Sequence, residues 1–231
     1  MNKSEKAGSI VIRIGQALFF CILAATLFGL PLFLSAGSLR FTGAWLFLGV
    51  FCISVFFIFT YLAIKDPGLF EKRMKMEEED LSQTIIKLSL TLIYLVTLIV
   101  SGLDYRFHWS RVPRVVVLVF TILEAFGAVV LFIVMKQNTY GSRAVEIQEN
   151  QRVIDSGLYS VVRHPLYLAF SIIFCFSPLV LGSFYAFILS LLMPVLIAMR
   201  IRKEEELLRK GLQGYEAYLR KVRFKLIPYV W

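Results

Sequence analysis

Between Phe41 and Ile64 the chain runs for 24 residues without a single charged side chain. At about 1.5 Å of rise per residue, a helix of that length crosses the roughly 30 Å hydrocarbon core of a bilayer. Three other stretches behave the same way. Ile14–Ala36 holds only Gln16 and a few small hydroxyls, Thr84–Leu103 holds one charge, Lys87, near its start, and Val115–Met135 holds one, Glu124, near its middle. These four read as membrane spans. Two further apolar stretches, Leu166–Leu181 and Phe184–Met199, are shorter and joined by Gly182-Ser183, with Pro178 just before the join and Pro194 inside the second. They predict a tight helical hairpin that crosses the membrane thinly or only in part.

The expected fold class is therefore all-α: a polytopic integral membrane helical bundle of about six hydrophobic helices, the last two a short hairpin, plus a C-terminal helix on the cytoplasmic side. Composition agrees. Of 231 residues 58% are hydrophobic and 18% charged, against roughly 45–50% and about 25% in soluble domains. That balance excludes disorder, a collagen-like chain and a disulfide scaffold, and argues against a soluble enzyme. Cys21, Cys52 and Cys175 all lie in apolar stretches with no CxxC spacing, so they read as packing residues with no metal site. The basic start MNKSEKAGSIVIRIG resembles the opening of a signal peptide. The apolar run behind it exceeds the 7–15 residues of an h-region and no A-x-A site closes it, so it reads as the first span.

Charge placement orients the bundle. With six segments, both termini share one side with the loops 65–83 and 136–165. Twenty of the 25 Lys and Arg residues fall on that side, against Arg40, Arg106, Arg111 and Arg114 on the other. The positive-inside rule puts both termini in the cytoplasm. The net charge of +9 then reports topology and attraction to anionic headgroups, and nucleic-acid binding is not expected.

The polar residues of the last third are unevenly placed. Gln137–Pro165 is a long polar insertion rich in turn formers, among them Asn138, Gly141, Asp155, Ser156, Gly157 and Pro165, and Arg200–Trp231 is a charged tail, helical over Arg200–Leu208 and Tyr215–Val222 and broken near Gly211 and Gly214. Connections of such length are usually functional. The two stretches flank the hairpin, so the fold brings them to one membrane face. The expected organisation is a four-helix transmembrane region over 1–136 and a cofactor-binding region over 137–231, integrated as one domain. Arg163-His164-Pro165 sets two donors at the membrane boundary, with Pro165 suited to the first turn of the next helix. Arg200 and Arg202 stand at the hairpin's other end beside Glu204, Glu205 and Glu206, and Tyr159, Tyr167, Tyr215 and Tyr218 bring amphipathic rings to the same level. Singly, such residues snorkel or anchor. Anchoring alone does not require acids, bases and a glycine turn to converge. The loop Asp66–Asp80, which mixes both signs, reads as a surface helix begun by Asp66-Pro67.

The order of these residues resembles the isoprenylcysteine carboxyl methyltransferase family. Gln151–Tyr167 (QRVIDSGLYSVVRHPLY) is similar to its Q-x-V-I-x-T-G-x-Y-x-x-V-R-H-P-x-Y, and Arg200–Tyr218 (RIRKEEELLRKGLQGYEAY) to its R-I-x-x-E-E-x-x-L and G-Y-x-x-Y. Val222–Trp231 (VRFKLIPYVW) looks like the ending of bacterial members. Weaker likenesses are Asn138-Thr139-Tyr140, Leu103–Ser110 and Asp66-Pro67. Leu158 and Gln213 depart from the pattern, where proline is usual; both are turn positions.

The resemblance implies an S-adenosylmethionine-dependent methyltransferase of the membrane, here a bacterial inner membrane, acting on the carboxylate of an isoprenylcysteine-like or other lipid-linked substrate that enters from the bilayer. It implies a cofactor pocket from Gln151, Val153, Gly157, Tyr159, His164, Tyr167, Glu204 and Glu205, with Arg163 and Arg200 orienting the acceptor carboxylate. Glu204 or Glu205 would serve as a base if the acceptor were an amine. The broader superfamily also holds phospholipid amine N-methyltransferases and NADPH-dependent reductases, and a non-catalytic membrane protein on the same scaffold is the remaining alternative. No G-x-G-x-G stretch is present, which excludes a soluble Rossmann methyltransferase. Glu124, at mid-span, is expected to make a polar helix contact or to line a substrate tunnel.

Overall fold

A computed structural model describes residues 3–74, 81–138 and 151–231. The described residues form helices and no strands: α1 (Lys3–Ala36), α2 (Thr42–Lys65), α3 (Pro67–Met74), α4 (Leu81–Phe107), α5 (Arg114–Gln137), α6 (Pro165–Phe170), α7 (Phe176–Val180), α8 (Phe184–Ser190), α9 (Met193–Gly211) and α10 (Tyr215–Lys221). Five stretches are long and apolar enough to cross a membrane: Ile10–Ala36, Thr42–Lys65, Leu81–Phe107, Arg114–Gln137 and Phe184–Gly211; Pro165–Val180 is a shorter apolar helix. The chain is a multi-pass integral membrane protein.

The four spans form as their apolar runs require. α1 packs on α2 and α4, and α5 packs on α2 and the hairpin. Gly102 shows how close α1 and α4 come: a Cβ there would fall 2.6 Å from the Leu32 carbonyl oxygen. The central core gathers Leu32, Phe47, Leu48, Tyr94, Leu98, Val180 and Met193 from α1, α2, α4 and both hairpin arms. Phe28 meets Phe51 and Tyr94 there, edge to face at 5.0 and 5.4 Å, an arrangement aromatic rings favour. A second core at the end where α2 meets α3 takes Ala17, Leu62, Leu69, Phe70 and Met135. The expected surface helix after Asp66 is thus half core. Its start is capped by Asp66 Oδ1, which accepts from the Leu69 N–H at 3.0 Å. Residues 75–80 of that loop, and Thr139, Tyr140 and Gly141, lie outside the described residues.

The hairpin differs from expectation in two ways. Its tip reaches the far end of the bundle: Ser183 Oγ donates to Asp104 Oδ2 at 2.5 Å, near the last turn of α4. Asp104 also accepts from the Ser110 N–H at 2.6 Å and its hydroxyl at 2.7 Å. The hairpin is therefore as deep as its neighbours. Second, the returning arm does not stop at Met199. It breaks between α8 and α9, just before Pro194, and α9 then continues through Arg200 to Gly211. Proline at the start of a helix costs no hydrogen bond, since that N–H has no partner in any helix. The outgoing arm contains a π-helical turn, Ser171–Cys175.

Candidate functional site

The end of the bundle opposite Asp104 collects the polar residues of the last third. Pro165 stands in the first turn of α6, as the sequence predicts, and His164 holds the N-cap position without a side-chain capping bond. The turn ahead of it is held by residues some 60 positions later: the N–H groups of Arg163 and His164 donate to the carbonyls of Phe224 and Lys225, both at 2.9 Å. The tail fixes itself in turn, because the N–H groups of Lys225, Leu226 and Ile227 all point at the Trp231 oxygen at 2.9–3.1 Å.

Two charge clusters result. Glu205, on α9, is buried at 3% exposure. Its Oε1 meets His164 Nε2 at 3.2 Å and Arg163 Nε at 3.1 Å, and its Oε2 meets Lys225 Nζ at 2.8 Å. Glu205 stands about 9 Å of helix beyond the apolar stretch that ends at Met199. Burial alone would raise its carboxyl, but hydrogen bonds from His164 and Lys225 and the charges of His164 and Arg163 outweigh it and hold the group down at about 2. Such a carboxylate is a lock among Arg163, His164 and Lys225. The Arg163 contact is one of charge only, since its Nε–H is buried and aligned with no acceptor among the described residues.

The second cluster lies one residue back. Tyr167 donates its hydroxyl proton to Glu204 Oε2 at 2.6 Å and accepts from Arg200 Nε at 2.9 Å. Arg200 and Tyr167 are thereby tied to one carboxylate, with Arg200 itself buried at 8% exposure. Arg202 and Glu206, the neighbours in sequence, are exposed. Tyr215 lies within electrostatic reach of Glu205, Glu204 and Arg163, and burial pushes its hydroxyl up.

The loop before the hairpin supplies a third group. Gly157 has φ +58 and a Cβ there would sit 2.1 Å from Gln137 Nε2, so both its backbone and its surroundings demand glycine. Gln137 Oε1 accepts from the Leu158 N–H at 3.1 Å. Tyr159 is buried; its hydroxyl accepts from Asn138 Nδ2 and its carbonyl from the Tyr218 hydroxyl, both at 2.7 Å. Burial pushes the Tyr218 hydroxyl up as well. Val153 packs on Leu212, Tyr215, Tyr218 and Val222, and Gln151 is half-buried. At the rim Lys221 Nζ pairs with Asp155 at 2.6 Å and lowers its carboxyl.

Of the residues singled out from sequence, Arg163, His164, Tyr167, Arg200, Glu204 and Glu205 share one constellation, and Gly157 and Tyr159 stand beside α5 and α10. Two participants were missed. Lys225 lies in the ending Val222–Trp231 that carries the family likeness, but nothing in the sequence singles out its side chain from the rest of the charged tail. Gln137 closes α5 and carried no motif. Among the described residues no group of three His, Cys, Asp or Glu side chains could hold a metal.

Comparison with known proteins adds one finding. Residues 104–210 match the sequence model of the Isoprenylcysteine carboxyl methyltransferase (ICMT) family, which bears out the resemblance. The matched segment contains Arg163, His164, Tyr167, Arg200, Glu204 and Glu205 but not Lys225. No curated protein sequence matches the chain.

Proposed function

From that family match and the clusters at the hairpin root, we propose that this protein is an S-adenosylmethionine-dependent O-methyltransferase of the membrane, acting on the carboxylate of an isoprenylcysteine-like or other lipid-linked substrate. The observation that carries the reading is the convergence of Arg163, His164, Tyr167, Arg200, Glu204 and Glu205 at one level, inside the matched segment. That end of the bundle also holds the excess of Lys and Arg, so we place it in the cytoplasm of a bacterial cell.

The residues suit the cofactor's chemistry. S-adenosylmethionine is a zwitterion with a sulfonium, and needs a carboxylate near its cations and donors near its carboxylate. Glu204 is a half-buried carboxylate held by Tyr167. The Arg163 Nε–H is buried and, although paired by charge with Glu205, makes no hydrogen bond among the described residues. Gly157 leaves backbone exposed where any larger residue would collide with Gln137. Gln151, Val153, Gly157, Tyr159, His164, Tyr167 and Glu204 would hold the cofactor, and Glu205 would position His164. When bound, the cofactor supplies an electrophilic methyl group.

The chain's own work is positioning. A carboxylate acceptor, with a pKa of about 3.5, is ionised at neutral pH and needs no general base. Arg163 and Arg200 orient it, and Tyr167 fixes Arg200 against Glu204. The burial of His164, Arg200, Glu205 and Tyr215 keeps water from the reacting groups, which strengthens every charge interaction there. The hydrocarbon part of the substrate lies between the spans.

Calorimetric titration of the purified protein with S-adenosylmethionine and with NADPH tests the reading, followed by transfer of labelled methyl to an S-prenylated N-acetylcysteine. Binding of S-adenosylmethionine and base-labile label on the prenylated acid are expected. Absence of S-adenosylmethionine binding sinks the proposal, and NADPH binding in its place points to a reductase. Label that survives base on an amino lipid points to N-methylation.

A further inference from the structure

Glu124 has no part in the chemistry above. It lies in the middle of α5, about 15 Å of helix from Arg114, at 1% exposure. Both carboxyl oxygens are buried, and neither has a hydrogen-bond partner among the described residues. The polar helix contact expected for it is therefore not made. An ionised carboxylate without a partner is among the most costly groups a bilayer core can hold. In its acid form the same group carries one O–H donor and a carbonyl acceptor.

The surroundings limit what can satisfy it. Thr121, one turn before Glu124 on α5, and Ser171 and Ser177, on the hairpin arm that packs on α5, each donate their hydroxyl to a carbonyl of the preceding turn. Tyr94 lies within electrostatic reach of Glu124, and its hydroxyl meets Ser177 Oγ at 3.2 Å. Because Ser177 has already given its proton to the Phe174 carbonyl, Tyr94 must be the donor in that pair. The Tyr94 oxygen keeps a free lone pair. An acid and a phenolic acceptor thus lie within electrostatic reach of one another, and a group able to accept from the first and donate to the second is a hydroxyl. Next to them the hairpin widens into the π-helical turn Ser171–Cys175, a deformation frequent at functional sites. It packs so closely on α5 that a Cβ on Gly127 would fall 2.8 Å from Ile172 Cγ2.

We propose that Glu124 is the polar anchor of a lipid site inside the bundle, and that its ligand is a hydroxyl carried on a hydrocarbon chain or ring. The depth of Glu124 selects hydrocarbon as the carrier. The pairing with Tyr94 selects hydroxyl over ammonium, which brings a charge to the site and accepts from neither partner. This site does not rest on methyl transfer.

The test uses the full-length protein in dodecyl maltoside micelles, with 1-hexadecanol as probe and hexadecane and hexadecylamine as controls. Hexadecanol is expected to raise the melting temperature of the wild type, hexadecane to leave it unchanged, and Glu124→Leu to fold without responding to the alcohol. Glu124→Gln, which keeps the shape, serves if the leucine variant does not fold, and is expected to keep a weakened response. In the second measurement dicyclohexylcarbodiimide, which modifies acids in apolar surroundings, labels Glu124. At roughly four times its Kd, hexadecanol should slow that labelling about fivefold. No response of the wild type to hexadecanol overturns the proposal and leaves Glu124 satisfied by buried water only. An equal response of Glu124→Leu places the alcohol elsewhere and also overturns it. Stronger protection by hexadecylamine makes the site cationic and overturns the hydroxyl assignment.

Discussion

Tyr167 gives its only proton to Glu204, at 2.6 Å, and is left with lone pairs that receive Arg200 Nε at 2.9 Å. The phenol thus joins an acid and a base on α9 to the first turn of the outgoing hairpin arm. Tyr167→Phe removes both bonds while keeping the ring. Buried hydrogen bonds to charged groups contribute about 1.5–3 kcal/mol. The variant is expected to bind S-adenosylmethionine roughly tenfold or more weakly in calorimetry and to melt at lower temperature. Unchanged affinity would remove Tyr167 and Glu204 from the cofactor site together.

Lys225→Met takes one of three partners, the others being Arg163 and His164, from Glu205. The Glu205 carboxyl is held below its unfolded value, so its contribution to stability is present above the ordinary carboxylate range and is lost as pH falls through about 2. With Lys225 gone the folded value rises toward the unfolded one. The variant should be less stable at neutral pH, and its loss of stability between pH 7 and 3, followed by thermal melts, should be shallower than in the wild type. Identical acid limbs would show that Lys225 does not hold Glu205 in solution.

Gly157→Ala places a methyl group against Gln137 Nε2 and asks an L-residue to adopt φ +58. The left-handed conformation alone costs roughly 1–2 kcal/mol, and the clash breaks the Gln137–Leu158 hydrogen bond. A lower melting temperature and weaker cofactor binding are expected. Adding Gln137→Ala relieves the clash but not the backbone strain, so it should restore part of the loss.

Asp104→Asn tests the far end. Asp104 accepts from Ser183 and twice from Ser110, and replacing one oxygen by an amide leaves donors facing donors. A loss of about 2 kcal/mol in stability is expected, read as a drop in melting temperature. Affinity for S-adenosylmethionine should not change, because the bond lies at the opposite end of the bundle. A parallel loss of affinity would mean that the hairpin tip sets the geometry of its root.

The spans were legible because hydrocarbon imposes one demand on every residue: Phe41–Ile64 became Thr42–Lys65 and Val115–Met135 became Arg114–Gln137. The hairpin's depth was not, because sixteen apolar residues look short until Ser183 is seen bonded to Asp104. The continuation of α9 past Met199 was hidden by a change from apolar to charged residues, which marks the membrane boundary and not a helix end. At the site, Arg163, His164 and the Glu204-Glu205 pair stood out through spacing. Lys225 did not, because its partner is set by irregular backbone between residues far apart in sequence, which no periodicity records. Glu124 was visible as an anomaly, but only packing could show that nothing answers it.

The bonds from Arg163 and His164 to the Phe224 and Lys225 carbonyls also carry a consequence for biosynthesis. A ribosome that has delivered the hairpin to the membrane has not yet delivered what closes the Arg163-His164 turn. All spans can therefore be inserted while the site is still unfinished, and it is completed by a segment made some sixty residues later. A chain stopped ahead of Phe224 would keep its spans and leave the Arg163-His164 turn open, so insertion and closure of that turn are separate events in the life of one polypeptide.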